Sequence, residues 1–148
     1  MFKNILVATD GSTLSAKAVQ RAIDLAQTLG AKLTAFYASP VYTLQGFGES
    51  VALASPNSRK LYEARCKEGA DKILGAIARK AVSAGVKLSG VHAYSSLPWE
   101  AILATAKKQK CDLIVMASHG RRGVSALLLG SETHKVLTHS TVPVLVIR

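Results

Sequence analysis

Two polar, glycine-containing segments carry the residue types that a site for an anionic ligand needs. The first is "TDGS", residues 9–12, which follows the apolar run Ile5–Ala8. The second is "SHGRRGVSALLLGSET", residues 118–133, which follows another apolar run. Glycine lets the backbone approach a ligand closely, hydroxyl groups donate hydrogen bonds to it, and basic side chains neutralise it. These two segments are therefore the first candidates for binding chemistry.

The second segment combines two glycines with a predicted helix start. Gly120 and Gly130 leave room for a ligand beside the backbone, and Ser131–Thr133 is predicted to open a helix. Free N–H groups at a helix N-terminus, together with the helix dipole, favour a phosphate there. Further donors or positive charges come from the side chains of His119, Arg121, Arg122, Ser131 and Thr133. The alternative is a glycine-flanked loop in which Ser131 only caps its helix, and composition favours the two interpretations equally.

Asp10 in the first segment needs a different role, because a carboxylate repels a phosphate. It suits hydrogen bonding to ribose hydroxyl groups, or the binding of a magnesium ion that bridges phosphates. The alternative is a turn residue that supports a helix cap at Ser12. We favour the ligand role, because the same edge of the predicted sheet carries the glycine-rich segment.

The elements that must position these segments alternate between strand and helix along the chain. Short apolar runs predict strands at Lys3–Thr9, Ala31–Ala38, Val86–Ser95, Cys111–Ser118 and Val142–Arg148. Helical spacing, N-caps and C-terminal glycines predict helices at Thr13–Leu29, Ser58–Ser83, Pro98–Gln109 and Ser131–Ser140. The first of these helices has its apolar stripe at Leu14, Ala18, Ala22, Leu25, Ala26 and Leu29. Residues 39–57 lack periodicity and predict a long loop.

This alternation predicts one doubly wound α/β domain over residues 1–148, with a mostly parallel sheet and helices on both faces. Ligands of such sheets bind outside the carboxyl ends of the strands, where the strand order reverses. The sequence has no G-x-x-x-x-G-K-[ST] motif and no G-x-G-x-x-G after the first strand. A P-loop mechanism and the usual dinucleotide fingerprint are therefore excluded.

The charge of the chain is strongly positive, with nineteen Lys and Arg against nine Asp and Glu, a formal net charge of +10. The basic residues are scattered, and the tight cluster Lys107–Lys110 falls where a helix is expected to end. Three Phe, four Tyr and one Trp leave little aromatic surface for base stacking. We therefore expect attraction to anions in general and no specific nucleic-acid binding.

The two cysteines and the first residues of the chain bear on the cellular compartment of the protein. Cys66 and Cys111 fit no metal or redox spacing and are expected to be reduced, partly buried thiols. The apolar run Ile5–Ala8 is too short for a secretory signal or a membrane span. We expect a cytoplasmic protein that does not associate with membranes.

Two long stretches of the chain resemble the universal stress protein family, residues 3–33 and 111–148, and the likeness extends throughout the length. The ATP-binding branch of that family is marked by Gly, two residues, Gly, nine residues, then Gly followed by Ser or Thr. Here Ser118 and His119 precede Gly120, nine residues follow, and Gly130 is followed by Ser131. Ala117 stands where the first glycine of that pattern normally is.

The resemblance implies a Rossmann-like sheet of five strands in the order 3-2-1-4-5, so that the order reverses between strands one and four. It also implies ATP as the ligand, with Mg²⁺ bridging the phosphates, and a set of binding residues. Ala8, Thr9 and Asp10 would line the adenosine, and Ala38 would offer its backbone to adenine. Ribose and phosphates would be surrounded by Met116, Ala117, Ser118, His119, Gly120, Gly130, Ser131, Glu132 and Thr133. No residue is assigned as catalytic or as a metal ligand.

The last strand bears on assembly. Val142, Val144 and Val146 alternate with Leu145 and Ile147, which predicts a strand buried on both faces. An apolar edge strand is normally covered. The resemblance suggests a homodimer formed through this strand, from Val142 to Ile147.

Three functions are compatible with these observations. The first, which we favour, is a stress-response regulator in which bound ATP sets a state that a protein partner reads. The second is a slow ATPase or nucleotide-dependent transferase with His119 or Asp10 at the reacting group. The third is a nucleotide-free dimeric interaction module, for which Ala117 is the best support.

Overall fold

The first strand is apolar on both of its faces and lies in the buried centre of the sheet. The structure is a computed structural model that describes residues 1–43, 56–119 and 129–148. Strand β1 (Asn4–Thr9) has two apolar faces, with Ile5 and Val7 in one core cluster and Leu6 and Ala8 in another. Both faces are buried, which is typical of the centre of a parallel sheet with helices on each side.

Strands and helices alternate in the described residues. After β1 come α1 (Thr13–Leu29), β2 (Lys32–Ser39), α2 (Pro56–Ser83), β3 (Leu88–Tyr94), α3 (Pro98–Lys108), β4 (Leu113–Ala117), α4 (Ser131–His139) and β5 (Val144–Ile147). Each predicted element is present, with bounds shifted by at most two residues. The prediction of a long loop over residues 39–57 falls largely outside the described residues.

The five strands form one parallel sheet in the order β3-β2-β1-β4-β5. This confirms the doubly wound fold and the strand order that the family resemblance implied. One core cluster includes α1 and α2 residues and the other includes α3 and α4 residues, so each face of the sheet carries two helices. The strand order reverses between β1 and β4, the point at which such folds bind ligands.

Helix α1 is bounded as its sequence predicts, but its buried face is rotated. Ser12 is the N-cap, and its side chain accepts a hydrogen bond from the Ser15 N–H. Gly30 ends the helix with φ 62°, a left-handed conformation that favours glycine. The predicted leucines are only half-buried and lie on one flank, whereas Val19 and Ile23 on the other flank are buried. The small residues between the two flanks bring the helix close to the sheet.

The prediction that both faces of β5 are buried was wrong for the single chain. Leu145 is 40% exposed, while Val144 and Ile147 pack against the two core clusters. The physical reason is that β5 is an edge strand, paired on one side with β4. Among the described residues, no strand pairs with the second edge of β5.

Candidate functional site

The carboxyl ends of β1, β2 and β4 bring most of the predicted site residues to one edge of the sheet. Val7 pairs with Val115, and Thr9 pairs with Tyr37. In parallel strands the residues that follow such pairs continue side by side. The predicted positions that share this edge are Ala8, Thr9, Asp10, Ala38, Met116, Ala117, Ser118 and His119.

The turn after β1 is held by short hydrogen bonds around Thr9. The Thr9 Oγ1 lies 2.9 Å from the Ser15 Oγ and accepts the Gly11 N–H at 3.1 Å. The Ser15 hydroxyl donates to the Ser12 carbonyl oxygen at 3.0 Å, so the Thr9 hydroxyl is the donor to Ser15. Gly11 has φ 77°, which lets the chain turn sharply into α1. Thr9 is therefore a buried residue that shapes the turn.

Asp10 takes part in the same turn. Its Oδ1 accepts the Ser12 N–H at 2.9 Å, while the Ser12 Oγ accepts the Ser15 N–H at 3.2 Å. The alternative interpretation, in which Asp10 supports the cap at Ser12, is thus observed. The contact of Asp10 with a ligand stays a prediction, and this turn determines where the carboxylate lies at the sheet edge.

The segment after β4 returns to the same edge through Gly130. The Gly130 N–H donates to the Ser118 carbonyl oxygen at 2.7 Å, and the Ser118 N–H donates to the Ile147 carbonyl oxygen at 2.8 Å. A Cβ on Gly130 would lie 3.0 Å from the His119 Cα and 3.3 Å from the Ser118 oxygen. We expected this glycine to make room for a ligand, and the structure shows that it makes room for the protein's own backbone.

Gly130 is also the N-cap of α4. It has φ −60° and ψ 147°, and as a glycine it has no side chain with which to cap the helix itself. The alternative in which Ser131 only caps this helix is therefore wrong, because Ser131 is the first helical residue. Since the first N–H groups of a helix have no intrahelical acceptor, the α4 N-terminus offers donors and a positive dipole end. This is the arrangement in which helices bind phosphate groups.

The Thr133 side chain has a structural partner. Thr133 is 3% exposed and its hydroxyl donates to the Ala117 carbonyl oxygen at 2.9 Å. The hydroxyl proton is thereby used within the protein, which differs from the expected role as a phosphate donor. The bond ties the first turn of α4 to the end of β4.

Glu132 and His119 also have protein partners. One Glu132 carboxylate oxygen accepts the Trp99 N–H at 2.8 Å, and the other lies 3.7 Å from the Lys135 Nζ. The His119 Nδ1 lies 3.2 Å from the Ser118 Oγ. Sequence reasoning missed the link from Glu132 to Trp99, because nothing in the sequence brings residues 99 and 132 together. The predicted residues Gly120, Arg121 and Arg122 lie outside the described residues.

Ala38 precedes a cluster that the sequence did not suggest. The Ser39 Oγ lies 2.9 Å from the His92 Nε2, and the His92 ring lies 4.8 Å from the Tyr94 ring. Burial lowers the pKa of His92, and the nearby Asp71 opposes this effect. These contacts give His92 a structural role, because they hold the carboxyl ends of β2 and β3 together.

Three further observations concern membrane spans, metal sites and the two cysteines. In the part of the chain that the structure describes, no helix is both long and apolar enough to cross a membrane. Over the same residues, no three His, Cys, Asp or Glu side chains come together as a metal site. Cys66 is half-buried and Cys111 is buried, both as free thiols, as expected.

The fold and the site define a doubly wound α/β protein with a glycine-capped helix N-terminus at the switch point of its sheet. The chain belongs to the universal stress protein family, whose model matches residues 1–148. It is 36% identical over 150 residues to the universal stress protein YxiE of Bacillus subtilis, covering 100% of both chains. The family resemblance seen in the sequence is thereby confirmed.

Solved structures agree with this assignment. The structure of protein MJ0577 of Methanocaldococcus jannaschii superposes with a TM-score of 0.80 at 24% identity, covering 99% of this chain and 96% of that one. A universal stress protein in complex with cAMP superposes with a TM-score of 0.66 at 26% identity, covering 99% of this chain and 97% of that one. The first shows the fold, and the second shows a similar protein that holds an adenine nucleotide.

Proposed function

We propose that this protein is a stress-response regulator that binds ATP, with Mg²⁺, at the carboxyl ends of β1 and β4. The observation that carries the proposal is the N-terminus of α4, which begins at the glycine N-cap Gly130 and lies against the end of β4. Phosphates are favoured there by the helix dipole and by the first N–H groups, which have no intrahelical acceptor. Bound nucleotide would act as a switch whose state a protein partner reads.

The residues at the sheet edge fit an adenine nucleotide. Ala38 is half-buried at the end of β2, and Asp10 lies at the end of β1. In this proposal the Ala38 backbone meets adenine and the Asp10 carboxylate meets the ribose. The similar protein in complex with cAMP supports an adenine nucleotide as the ligand class. Mg²⁺ would be held mainly by the phosphate oxygens of the nucleotide and by water, as is usual for this ion.

Ala117 is compatible with nucleotide binding. It is 7% exposed and belongs to the core cluster between the sheet and α1. Its methyl group is thus in the core of the protein, which weakens the case that it fills the nucleotide site. This supports nucleotide binding over the alternative of a nucleotide-free interaction module.

The proposal is tested by identifying and then measuring the ligand. Freshly purified protein is denatured, any released small molecule is identified by mass spectrometry, and the emptied protein is titrated with MgATP by calorimetry. We expect the released molecule to be ATP, or the emptied protein to bind MgATP with measurable affinity. We expect Asp10→Asn to bind MgATP more weakly. Asp24→Asn, an exposed change on α1, is the matched control and should bind normally. No adenine nucleotide released and none bound at millimolar concentration would refute the proposal.

We also propose a homodimer formed through β5, in the cytoplasm. The support is the edge position of β5 and the exposed Leu145 on it, at 40%. Free cysteines fit a reducing compartment. Sedimentation should give twice the mass of the chain for the natural sequence and a lighter species for Leu145→Lys. Leu61→Lys, at a 57% exposed leucine of α2, is the control that should stay dimeric.

A further inference from the structure

Glu132 caps a helix to which it does not belong. Helix α3 begins after Leu97, which makes no side-chain cap hydrogen bond. The Trp99 N–H in its first turn instead donates to Glu132 Oε2 at 2.8 Å. Because Glu132 is in the first turn of α4, its carboxylate joins the N-termini of two helices.

The position of this carboxylate is well determined. The Trp99 ring lies 4.9 Å from the His139 ring, so Trp99 contacts both the first turn and the last residue of α4. The Lys135 Nζ lies 3.7 Å from Glu132 Oε1, the carboxylate oxygen that does not accept the Trp99 N–H. These two partners hold the carboxylate at the helix end.

A fixed negative charge in the first turn of α4 changes what that turn can bind. The helix dipole favours anions there, and the Glu132 carboxylate already neutralises part of the positive potential of the helix end. A phosphate chain at the same turn brings further negative charge close to the carboxylate, and like charges repel. The Glu132 side chain is 38% exposed, so water and salt screen this repulsion without removing it.

We infer that Glu132 is a specificity-determining residue that makes the site select the magnesium form of a polyphosphate nucleotide over the free form. This inference rests on the proposed function. The free triphosphate carries more negative charge than its magnesium complex, so Glu132 penalises it more. A ligand without phosphates is not penalised, and Glu132 leaves the binding of the nucleoside unchanged.

The test is the ratio of two affinities in Glu132→Gln. Glutamine keeps an oxygen that can accept the Trp99 N–H, so the cap and the fold are retained while the charge is removed. Calorimetry gives the Kd of ATP with excess Mg²⁺ and with EDTA, and of adenosine. We expect Glu132→Gln to bind free ATP about 3- to 5-fold more tightly, the MgATP affinity to change less, and adenosine to bind as before.

The control and the outcomes separate this inference from the proposed function. Glu68→Gln removes the same charge from an exposed site on α2, and its ratio of MgATP to free ATP affinity should equal that of the natural sequence. An unchanged ratio in Glu132→Gln, with normal MgATP binding, overturns this inference alone. The absence of any nucleotide binding by the natural sequence overturns the proposed function and this inference with it.

Discussion

The position of a Cβ on Gly130 lies 3.0 Å from the Cα of His119. This close approach and the 2.7 Å hydrogen bond from the Gly130 N–H to the Ser118 carbonyl oxygen bring the residue before α4 against the residues that follow β4. The backbone at the start of α4 is thereby set against the end of β4. The candidate phosphate site depends on this contact between two backbone segments.

Gly130→Ala tests that contact. The added methyl group would lie 3.0 Å from the His119 backbone, so the two backbone segments must separate by a few tenths of an ångström. We expect a loss of about 1–3 kcal/mol in the free energy of unfolding. Urea denaturation measures it. Gly69→Ala is the matched control, since nothing lies within 4 Å of its Cβ position, and an alanine within α2 should stabilise by about 0.5–1 kcal/mol. Equal effects at the two positions would contradict the close contact.

Thr133→Val tests the link between α4 and β4. Valine has nearly the shape of threonine, so the change removes the hydrogen bond to the Ala117 carbonyl oxygen in a buried place. We expect a loss of about 1–3 kcal/mol in the free energy of unfolding. Thr138→Val is the control, because the Thr138 hydroxyl bonds to its own helix at an exposed position. A smaller loss for Thr133→Val than for Thr138→Val would count against the link.

Ser12→Ala tests the cap that positions the turn after β1. The Ser12 Oγ accepts the Ser15 N–H, and alanine leaves that donor unpaired. We expect a cost of about 1 kcal/mol, and a cost of only about a few tenths of a kcal/mol for Ser12→Gly. Thermal unfolding of both variants measures the difference. A Ser12→Ala protein as stable as the natural sequence would show that the cap contributes nothing.

The carboxylate of Asp112 makes the stability of the fold depend on pH, with a defined sign. Burial by itself raises the pKa of Asp112, but hydrogen bonds from the Lys3 and Asn4 N–H groups outweigh it and the pKa is lowered. A lowered pKa in the folded state means that Asp112 stabilises the fold above its unfolded pKa, about 3.9. The stabilisation is lost as the pH falls through the folded value.

The measurement compares the natural sequence with Asp112→Asn by urea denaturation from pH 7 down to pH 3. We expect the natural sequence to be the more stable at pH 7 and the difference to narrow below about pH 4. Asp24→Asn, whose carboxylate accepts the Gln20 side-chain amide on exposed α1, is the control. A difference that stays constant over this range would contradict the proposed role of the backbone hydrogen bonds.

The amino-acid sequence by itself determined the fold class and the order of its elements along the chain, and the family resemblance added the order of the strands in the sheet. Apolar runs, helical spacing and caps such as Ser12 and Gly30 are local signals, so each element was predicted within two residues. The spacing from Gly120 to Gly130 and Ser131 pointed to the family, which the comparison confirmed. Local patterns were sufficient because strands and helices depend mostly on residues near in sequence.

Only the tertiary structure decided what the site side chains do. Glu132 meets Trp99, and Thr133 meets Ala117, across sequence separations that no local pattern encodes. Gly130 is needed because the His119 backbone lies against it, a contact that arises only when α4 packs onto β4. The burial of β5 was overestimated for a related reason. An apolar pattern indicates that a strand is stable when it is buried, but it does not show which residues bury it.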